Sequence, residues 1–456
     1  MRSIRCRFLI GDVFSLGQAG GCSCALGQAD YTPGVRILIS LFLFTATLSA
    51  GNWPGWRGPS GDGVSLEKNI PTKWSATENV AWKVAIPGEG HSSPVIWDDR
   101  IFLTTSLTEK NERHLLCLNR RTGKTIWGNV VVQSPPESIH RLNSRASGTP
   151  ATDGKQVYVT FMRAEGDKVV APNVGSERLI TPGKIIVAAY DLDGNKKWKT
   201  DVGDFVSAHG FNTCPVLFDD LVIINGDHDG DAYIVALDRE SGRERWRTMR
   251  ENRTRSYVTP IIREIGGRTQ MILSGSLSVA SYDPRNGKRH WIVDGPTEQF
   301  VASMVYNGEY VFVTGGYPQK HILAIKPDGN GNVTDSHIAW RTTRGAAYVP
   351  SPIMAGRFLL VVADGGIASC FDAKTGRRHW QERLPGGHSP SPVSANGLVY
   401  FTSDLGVTSV IRPGESFEVA AQNKLGEPVS SSPAISQGQL FIRTHEHLYC
   451  IGKPKK

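Results

Sequence analysis

Residues 371–380 read FDAKTGRRHW and residues 237–246 read LDRESGRERW, so two distant stretches of the chain follow one pattern. Each leaves an apolar run, passes an aspartate and a glycine, and ends on tryptophan. Residues 119–127 (NRRTGKTIW) and 283–291 (DPRNGKRHW) repeat the pattern with small changes. Glycine suits the turn of a β-hairpin because it adopts a positive φ without steric cost. The pattern therefore predicts a hairpin that recurs along the chain.

A second motif begins each copy: a small residue followed by proline, at the head of an apolar strand. It reads SSPVI around Pro94 and PSPVS around Pro392, and Met304 takes the place of proline in one copy. Successive motifs lie 40 to 65 residues apart, a period typical of repeat architectures. The eight positions are Pro94, Pro150, Pro215, Pro260, Met304, Pro352, Pro392 and Pro433.

One copy reads as four antiparallel strands, so we predict an all-β fold: an eight-bladed β-propeller of four-stranded antiparallel blades. A single sheet cannot bury both of its faces, and stacking the next blade against it solves that problem. The aromatic residue that ends each hairpin is the predicted packing anchor between blades, with Phe417 filling this position in the weakest copy. The tryptophan anchors are Trp82, Trp127, Trp198, Trp246, Trp291, Trp340 and Trp380.

The two ends of the chain indicate how the ring closes. The last copy stops at Lys456 without an aromatic fourth strand, whereas residues 79–83 (NVAWK) offer a spare strand before the first copy. We therefore predict that this N-terminal strand completes the eighth blade. The resulting division is a leader with an export signal in 1–50, an N-terminal extension in 51–78 and the propeller in 79–456.

Residues 35–50, VRILISLFLFTATLSA, have the length and small-residue end of a secretory signal, which predicts an exported, periplasmic or secreted protein. The net charge of +8 is scattered among turns with acids nearby, and no run of five like charges occurs. This arrangement indicates a solvated rim and argues against nucleic acid as a partner.

The hairpin stretches resemble the bacterial pyrroloquinoline-quinone (PQQ)-like propeller repeats, whose pattern is A-x-D-x-x-T-G-x-x-x-W after a strand. Residues 371–380 match closely, and the resemblance covers essentially residues 79–451. Residues 53–63 also resemble the leader found ahead of many secreted members. Relatives include quinoprotein dehydrogenases and an outer-membrane assembly scaffold lipoprotein, so the resemblance implies a propeller but leaves open whether it carries PQQ with calcium.

The loops that lead into the innermost strands usually form the functional mouth of a propeller. Here they carry side chains larger and more polar than turns require. Two interpretations stay open: a ring of donors and aromatic faces for a polar or anionic ligand, or loop residues that satisfy local backbone groups. The candidates are His91, Arg145, His209, Asn212, Arg255, Tyr257, Tyr348 and His388, with Phe300 in the same set.

Asp227, Asp229 and Asp231 form the densest group of potential metal ligands, since hard cations prefer oxygen. Asp364 and Asp404 occupy the matching loop of other blades, which favours turn-forming aspartates instead.

Two further features stand out. His445 and His447 would share a face of a strand, a weak metal signal without a third ligand. Residues 161–184 form the longest departure from the repeat, near the mouth by strand count, and are either a binding element or a mobile loop.

Two function classes remain. The quinoprotein class, through the resemblance, implies a calcium site, a carboxylate base and often a vicinal disulfide, yet the sequence has no adjacent cysteine pair and its blades are short. We therefore expect a non-catalytic binding or scaffold propeller, without a cofactor, that holds a protein, peptide or polysaccharide outside the cytoplasm. A monomer, with or without peripheral association with the envelope, fits this expectation. The alternative is a PQQ-dependent dehydrogenase acting on an alcohol or sugar.

Overall fold

The repeats fold as eight four-stranded antiparallel sheets arranged as an eight-bladed β-propeller in the computed structural model, which describes residues 51–174 and 177–453. The predicted fold class is confirmed. The export signal predicted in 35–50 lies outside the described residues. The single helical turn of the described part is Thr108–Lys110, and no helix there is long and apolar enough to cross a membrane.

The first four blades follow in chain order, each running from its innermost to its outermost strand. Blade 1 comprises Val95–Trp97, Arg100–Leu107, Glu112–Asn119 and Thr125–Gln133. Blade 2 comprises Ala151–Thr152, Gln156–Ala164, Gly183–Asp191 and Lys196–Phe205. Blade 3 comprises Val216–Phe218, Leu221–Gly226, Tyr233–Asp238 and Glu244–Met249. Blade 4 comprises Ile261–Ile265, Arg268–Gly275, Ser278–Tyr282 and Arg289–Asp294.

The last four blades complete the ring. Blade 5 comprises Val305–Tyr306, Val311–Gly315, His321–Ile325 and Ile338–Thr342. Blade 6 comprises Ile353–Ala355, Phe358–Val362, Ile367–Asp372 and Arg378–Arg383. Blade 7 comprises Val393–Ala395, Leu398–Thr402, Val407–Arg412 and Glu418–Lys424. Blade 8 comprises Ala434–Ser436, Gln439–Arg443, His447–Ile451 and Val80–Ala85.

Two short additions lie outside this scheme. Gly331–Asn332 pairs in parallel with the outermost strand of blade 4, and Val169–Val170 pairs with Leu179–Ile180 in a hairpin of the blade 2 insertion.

The N-terminal strand closes the ring, as predicted. Val80–Ala85 pairs antiparallel with the C-terminal strand His447–Ile451, with Trp82 opposite Cys450 and Ala85 opposite His447. The first strand of the described chain is therefore the outermost strand of the last blade.

Each repeat tryptophan joins its blade to the next one. The indole N–H of Trp198, for example, donates to the carbonyl of Arg239 in the blade 3 hairpin at 2.9 Å. The glycine of that hairpin lies against the same ring, since a Cβ on Gly242 would come within 2.5 Å of it. The acceptor carbonyls for Trp82, Trp127, Trp198, Trp246, Trp291, Trp340 and Trp380 belong to Arg120, Leu192, Arg239, Pro284, Pro327, Ala373 and Gly414, in that order.

Blade 7 lacks its own tryptophan, and the assignment of Phe417 to this position is wrong. Strand register places Ala421 opposite Val410, as Trp380 lies opposite Cys370 in blade 6. Phe417 instead contacts Trp380 of the preceding blade, with ring centroids 5.0 Å apart.

Trp74 of the N-terminal extension supplies an indole to blade 7. Its ring stacks on Tyr400 of blade 7 with centroids 6.4 Å apart, in a buried cluster against which Ala421 packs. Its backbone N–H donates to Asn423 Oδ1 at 2.9 Å, which fixes the segment along the outermost strand.

The small residue before each proline forms a belt around the axis. The backbone N–H of Ser351 donates to Ser391 Oγ at 3.0 Å, and that of Ser391 donates to Ser432 Oγ at 2.9 Å. The N–H of Ser432 then reaches Ser93 Oγ at 3.2 Å, and that of Ser93 reaches Thr149 Oγ1 at 2.9 Å. A short side chain with a hydrogen-bonding atom is therefore needed at this position because it accepts a backbone hydrogen bond from the preceding blade.

Candidate functional site

A narrow channel runs along the propeller axis and encloses about 90 Å³. Every blade contributes to its wall, and among the described residues that line it there is no Asp, Glu, Lys or Arg side chain. The lining residues are Trp56, His91, Leu142, Asn143, Ser147, Asn212, Cys214, Tyr257, Thr259, Val301, Ser303, Val349, Ser389, Ser391, Ser430 and Ser432.

Trp56 of the N-terminal extension is the floor of this channel. It borders both the channel and a separate pocket of about 190 Å³ on the other side, and its indole N–H donates to Ser303 Oγ at 3.1 Å. The segment around it is tied across the ends of innermost strands: Trp53 bridges Ile96 and Val64 bridges Ser394. The channel is therefore open toward the predicted mouth and blocked by one indole at the opposite end.

Arg57 anchors this floor from below. Its Nη2 donates to the carbonyl of Pro352 at 2.8 Å and to that of Asp62 at 2.6 Å. Complete burial lowers the pKa of Arg57 to about 10, although Asp62 opposes this shift. The sequence did not identify Trp56 or Arg57, and the tryptophan pair in WPGWRG was the available signal.

Three of the predicted mouth residues, His91, Asn212 and Tyr257, line the channel itself. His91 stacks on His445 with ring centroids 5.6 Å apart. Burial first, and then the charge of His445 and Arg443, lowers the pKa of His91 to about 4. The imidazole is therefore neutral at pH 7.

The other mouth candidates lie outside the channel lining, in ion pairs, in hydrogen bonds or buried in the fold. Arg145 lies beside the mouth in an ion pair with Glu89 at 2.9 Å, and the hydroxyl of Tyr348 donates to Gln299 Oε1 at 3.3 Å. His388 is 2% exposed, and burial lowers its pKa to about 4. Phe300 is completely buried in the core around blades 4 and 5, so its ring is not presented to the mouth.

Arg255 contacts several loops on one side of the mouth. It forms a buried ion pair with Asp229 at 2.7 Å, and its Nη2 donates to the carbonyl of Asn173 in the blade 2 insertion at 2.9 Å. Its Nε donates to His209 Nδ1 at 3.3 Å, and His209 stacks near Tyr257 with centroids 6.4 Å apart. The insertion and two mouth loops thus meet on one guanidinium, which places part of the insertion at the mouth.

The aspartates proposed as metal ligands do not converge. Asp227 pairs with Arg250 at 2.8 Å, and Asp231, which is exposed, pairs with Arg253 at 2.6 Å. Asp229 forms an ion pair with Arg255, so each carboxylate of the group faces a different arginine.

His445 and His447 also separate. The strand begins at His447, which leaves His445 in the loop, where it contacts Ser430 at 2.9 Å and stacks on His91. His447 lies with Glu427 and Glu446 in a group whose ligand atoms are within 4.8 Å of one another. Glu427 in this group already accepts hydrogen bonds from Lys83, Thr444 and Tyr449, which indicates a structural role.

The channel does not fit PQQ with calcium, the cofactor that the resemblance implied. PQQ is a rigid three-ring tricarboxylate, which needs cations or hydrogen-bond donors beside its carboxylates. Calcium prefers carboxylate and carbonyl oxygens, and the described lining offers no carboxylate. Because His91 is neutral, the described lining also brings no cation to balance three carboxylates.

Comparison with known sequences identifies the repeat. A family model described as "Outer membrane protein assembly factor BamB" matches residues 69–182 and 183–415. The outer membrane protein assembly factor BamB of Bordetella pertussis is 28% identical over 159 residues, which span 32% of this chain and 39% of the relative. The chain therefore aligns with less than half the length of this curated relative.

Solved structures of two functional kinds share the fold. BamB from Moraxella catarrhalis superposes with a TM-score of 0.57 at 10% identity, covering 82% of this chain and 99% of that one. The quinohemoprotein alcohol dehydrogenase from Comamonas testosteroni gives a TM-score of 0.62 at 12% identity, covering 89% of this chain and 82% of the enzyme. At these identities the likeness shows the fold alone and does not choose between binding and catalysis.

Proposed function

The chain belongs to the BamB-like family of PQQ-type propeller repeats, and from that premise we propose that it is an exported, non-catalytic propeller that binds a protein partner at its mouth. Assembly of outer membrane proteins is the role printed for the relatives. For this chain we propose only the coarser role of holding a protein outside the cytoplasm.

The observation that carries the proposal is the blocked channel with its uncharged wall. A site that performs acid-base or metal chemistry needs titratable groups or ligands directed at the substrate. The described lining of the channel offers one histidine, His91, which burial keeps neutral, and no Asp, Glu, Lys or Arg side chain. Recognition is therefore assigned to the rim, where loops of blades 1 to 4 and the insertion meet.

Leu142 is the rim residue best placed to test this proposal. Its side chain is 47% exposed at the opening of the channel, and exposed apolar side chains at a concave site favour protein contacts. Leu66, 92% exposed in the segment at the opposite end, is a matched control.

The experiment places a photo-crosslinking amino acid at position 142 or 66 of the full chain in its native host. We expect a discrete, protease-sensitive adduct from position 142 and none from position 66, and Leu142→Asp should lower partner recovery about tenfold or more, as for a central interface residue. A protease-resistant smear would indicate a polysaccharide. Equal adducts at both positions would contradict a mouth-directed role.

The competing candidate is a PQQ-dependent dehydrogenase, because the PQQ-like repeat is shared with quinoprotein dehydrogenases. Purified protein is mixed with PQQ and calcium, and cofactor absorbance and dye-linked oxidation of alcohols and sugars are measured. We expect neither stoichiometric binding nor turnover; the presence of both would replace the binding proposal.

A further inference from the structure

His140 and His209 come together at the rim although they lie on different loops. Their ring centroids are 5.2 Å apart, and the backbone N–H of His140 donates to the carbonyl of His209 at 3.1 Å. Asn143 Nδ2 donates to the same carbonyl at 2.9 Å. The two loops are therefore fixed together, and the imidazole pair is part of a built wall.

The hydrogen bonds of the two rings determine where each carries its proton. His140 Nδ1 accepts from the backbone N–H of Leu142 at 3.3 Å. His209 Nδ1 accepts from Nε of Arg255, which is always a donor, at 3.3 Å. A neutral imidazole whose Nδ1 accepts must carry hydrogen on Nε2. Both rings therefore present an Nε2–H donor, and neither donor has an acceptor within the described ranges.

Arg178 adds unused donors beside this pair. Its Nε and Nη2 are buried and have no hydrogen-bond partner among the residues that the structure describes. Its backbone carbonyl accepts from the N–H of Ala171 at 2.8 Å, and Ala171 packs in one cluster with Ala208, the residue before His209. Buried guanidinium donors without acceptors are costly, and a bound acceptor would remove that cost.

The carboxylates nearby are committed elsewhere. Asp229 accepts from Arg255 Nη1 at 2.7 Å and from Asn173 Nδ2 at 3.2 Å. Glu137 pairs with the buried Arg113. Neither of these two carboxylates is therefore free to accept from His140, His209 or Arg178.

We propose that the Nε2–H groups of His140 and His209, with the guanidinium of Arg178, form a binding site for an oxyanion, a carboxylate or phosphate group. Neutral N–H donors on neighbouring rings and a guanidinium with unpaired donors match the chemistry of such a group, and Arg binds it through parallel hydrogen bonds. This assignment rests on the proposed function: the protein partner carries the oxyanion that the site binds.

The test is a titration of the full chain, labelled with ¹⁵N in histidine, with inorganic phosphate and separately with acetate. Saturable shifts of the Nε2–H signals of His140 and His209 are expected, and the tighter anion identifies the source as phosphate or carboxylate. Arg178→Gln should weaken binding about tenfold or more, because charge-assisted hydrogen bonds are lost. His140→Ala, at an exposed position that folding tolerates, should weaken it as well.

The control is Arg253→Gln, which removes an exposed arginine of the adjacent loop, already paired with Asp231, and should leave the affinity within about twofold. Absence of saturable shifts, or equal affinities in wild type, Arg178→Gln and His140→Ala, would overturn the site. The titration needs no partner, so its failure is distinct from loss of the crosslink at position 142.

Discussion

At the scale of single residues, the repeat glycine and tryptophan together form one contact between neighbouring blades. The sequence identified Gly242 as a turn residue and Trp198 as an anchor, but their contact joins two blades and is invisible along the chain. Gly242 has a φ of +69° and also leaves room for the indole of Trp198. The hairpin could therefore be predicted from local rules, whereas its partner could not.

A pair of glycine variants separates these two roles. Gly242→Ala and Gly267→Ala both place a side chain at positive φ, yet a Cβ at 267 meets nothing within 4 Å. We expect Gly267→Ala to lower the free energy of unfolding by about 1 kcal/mol. Gly242→Ala should cost roughly 2 kcal/mol more because the indole is displaced. Urea denaturation measures both, and equal losses would show that the tryptophan contact contributes nothing.

For the mouth residues, too, the sequence could not show which side chains meet in space. Sequence reasoning selected His209 and Arg255 because their loops lead into innermost strands. It missed His140, which lies 69 positions before His209 and meets it only when blades 2 and 3 stand side by side. The aspartates at 227, 229 and 231 were grouped by proximity in sequence, but the chain bends at 229–231 and each carboxylate pairs with a different arginine.

At the scale of elements, segment 70–74 packs on blade 7 and completes it, although it lies far from blade 7 in the sequence. Phe417 was assigned as the blade 7 anchor because it is the aromatic residue that ends the hairpin of the weakest copy, and only the strand register shows that Ala421 holds that position. An N-terminal segment that packs on the seventh blade has no repeat signal of its own. The substitution of a distant Trp74 for a local anchor could therefore not be predicted from the repeat.

Reciprocal variants test this substitution. Trp74→Ala should lower the free energy of unfolding by roughly 3 kcal/mol because it leaves a large cavity beside Tyr400. Ala421→Trp should cost about 1 to 3 kcal/mol alone, because the space is already filled. In the Trp74→Ala background, Ala421→Trp should instead restore part of the stability. Thermal or urea unfolding measures the free energy of unfolding of each variant. If the two losses add in the double variant, the side chains at positions 74 and 421 do not occupy the same space.

At the scale of the whole molecule, closure was the most successful prediction, because a missing strand at one end and a spare strand at the other leave one solution. Glu427 reinforces this closure: its carboxylate accepts from Lys83 of the N-terminal strand at 2.6 Å and from Tyr449 of the C-terminal strand at 2.8 Å. Burial opposes ionisation, but hydrogen bonds from Lys83, Thr444, Tyr449 and His447 outweigh it and lower the pKa of Glu427 to about 2.

This pKa predicts how acid weakens the ring. The unfolded chain holds the Glu427 proton with an ordinary pKa of 4.5, so the stabilisation is complete above that pH and is lost as the pH falls toward 2. We expect the loss to be roughly 2 kcal/mol over this window, since the pair with Lys83 is partly exposed. Glu427→Gln should remove this component of the pH dependence, whereas Glu78→Gln, at an exposed position, should retain it. Denaturation from pH 6 to pH 2 measures the difference, and parallel profiles would contradict the role of Glu427.

The pairing of residues 80–85 with 447–451 also imposes an order on biogenesis. The ribosome makes the first of these strands long before its partner, so the ring stays open until residues 447–451 have left the ribosome. Until then the unpaired strand edges at both ends stay available to other chains. Truncation of the chain before residue 447 should therefore produce species that aggregate, even when seven blades are already formed.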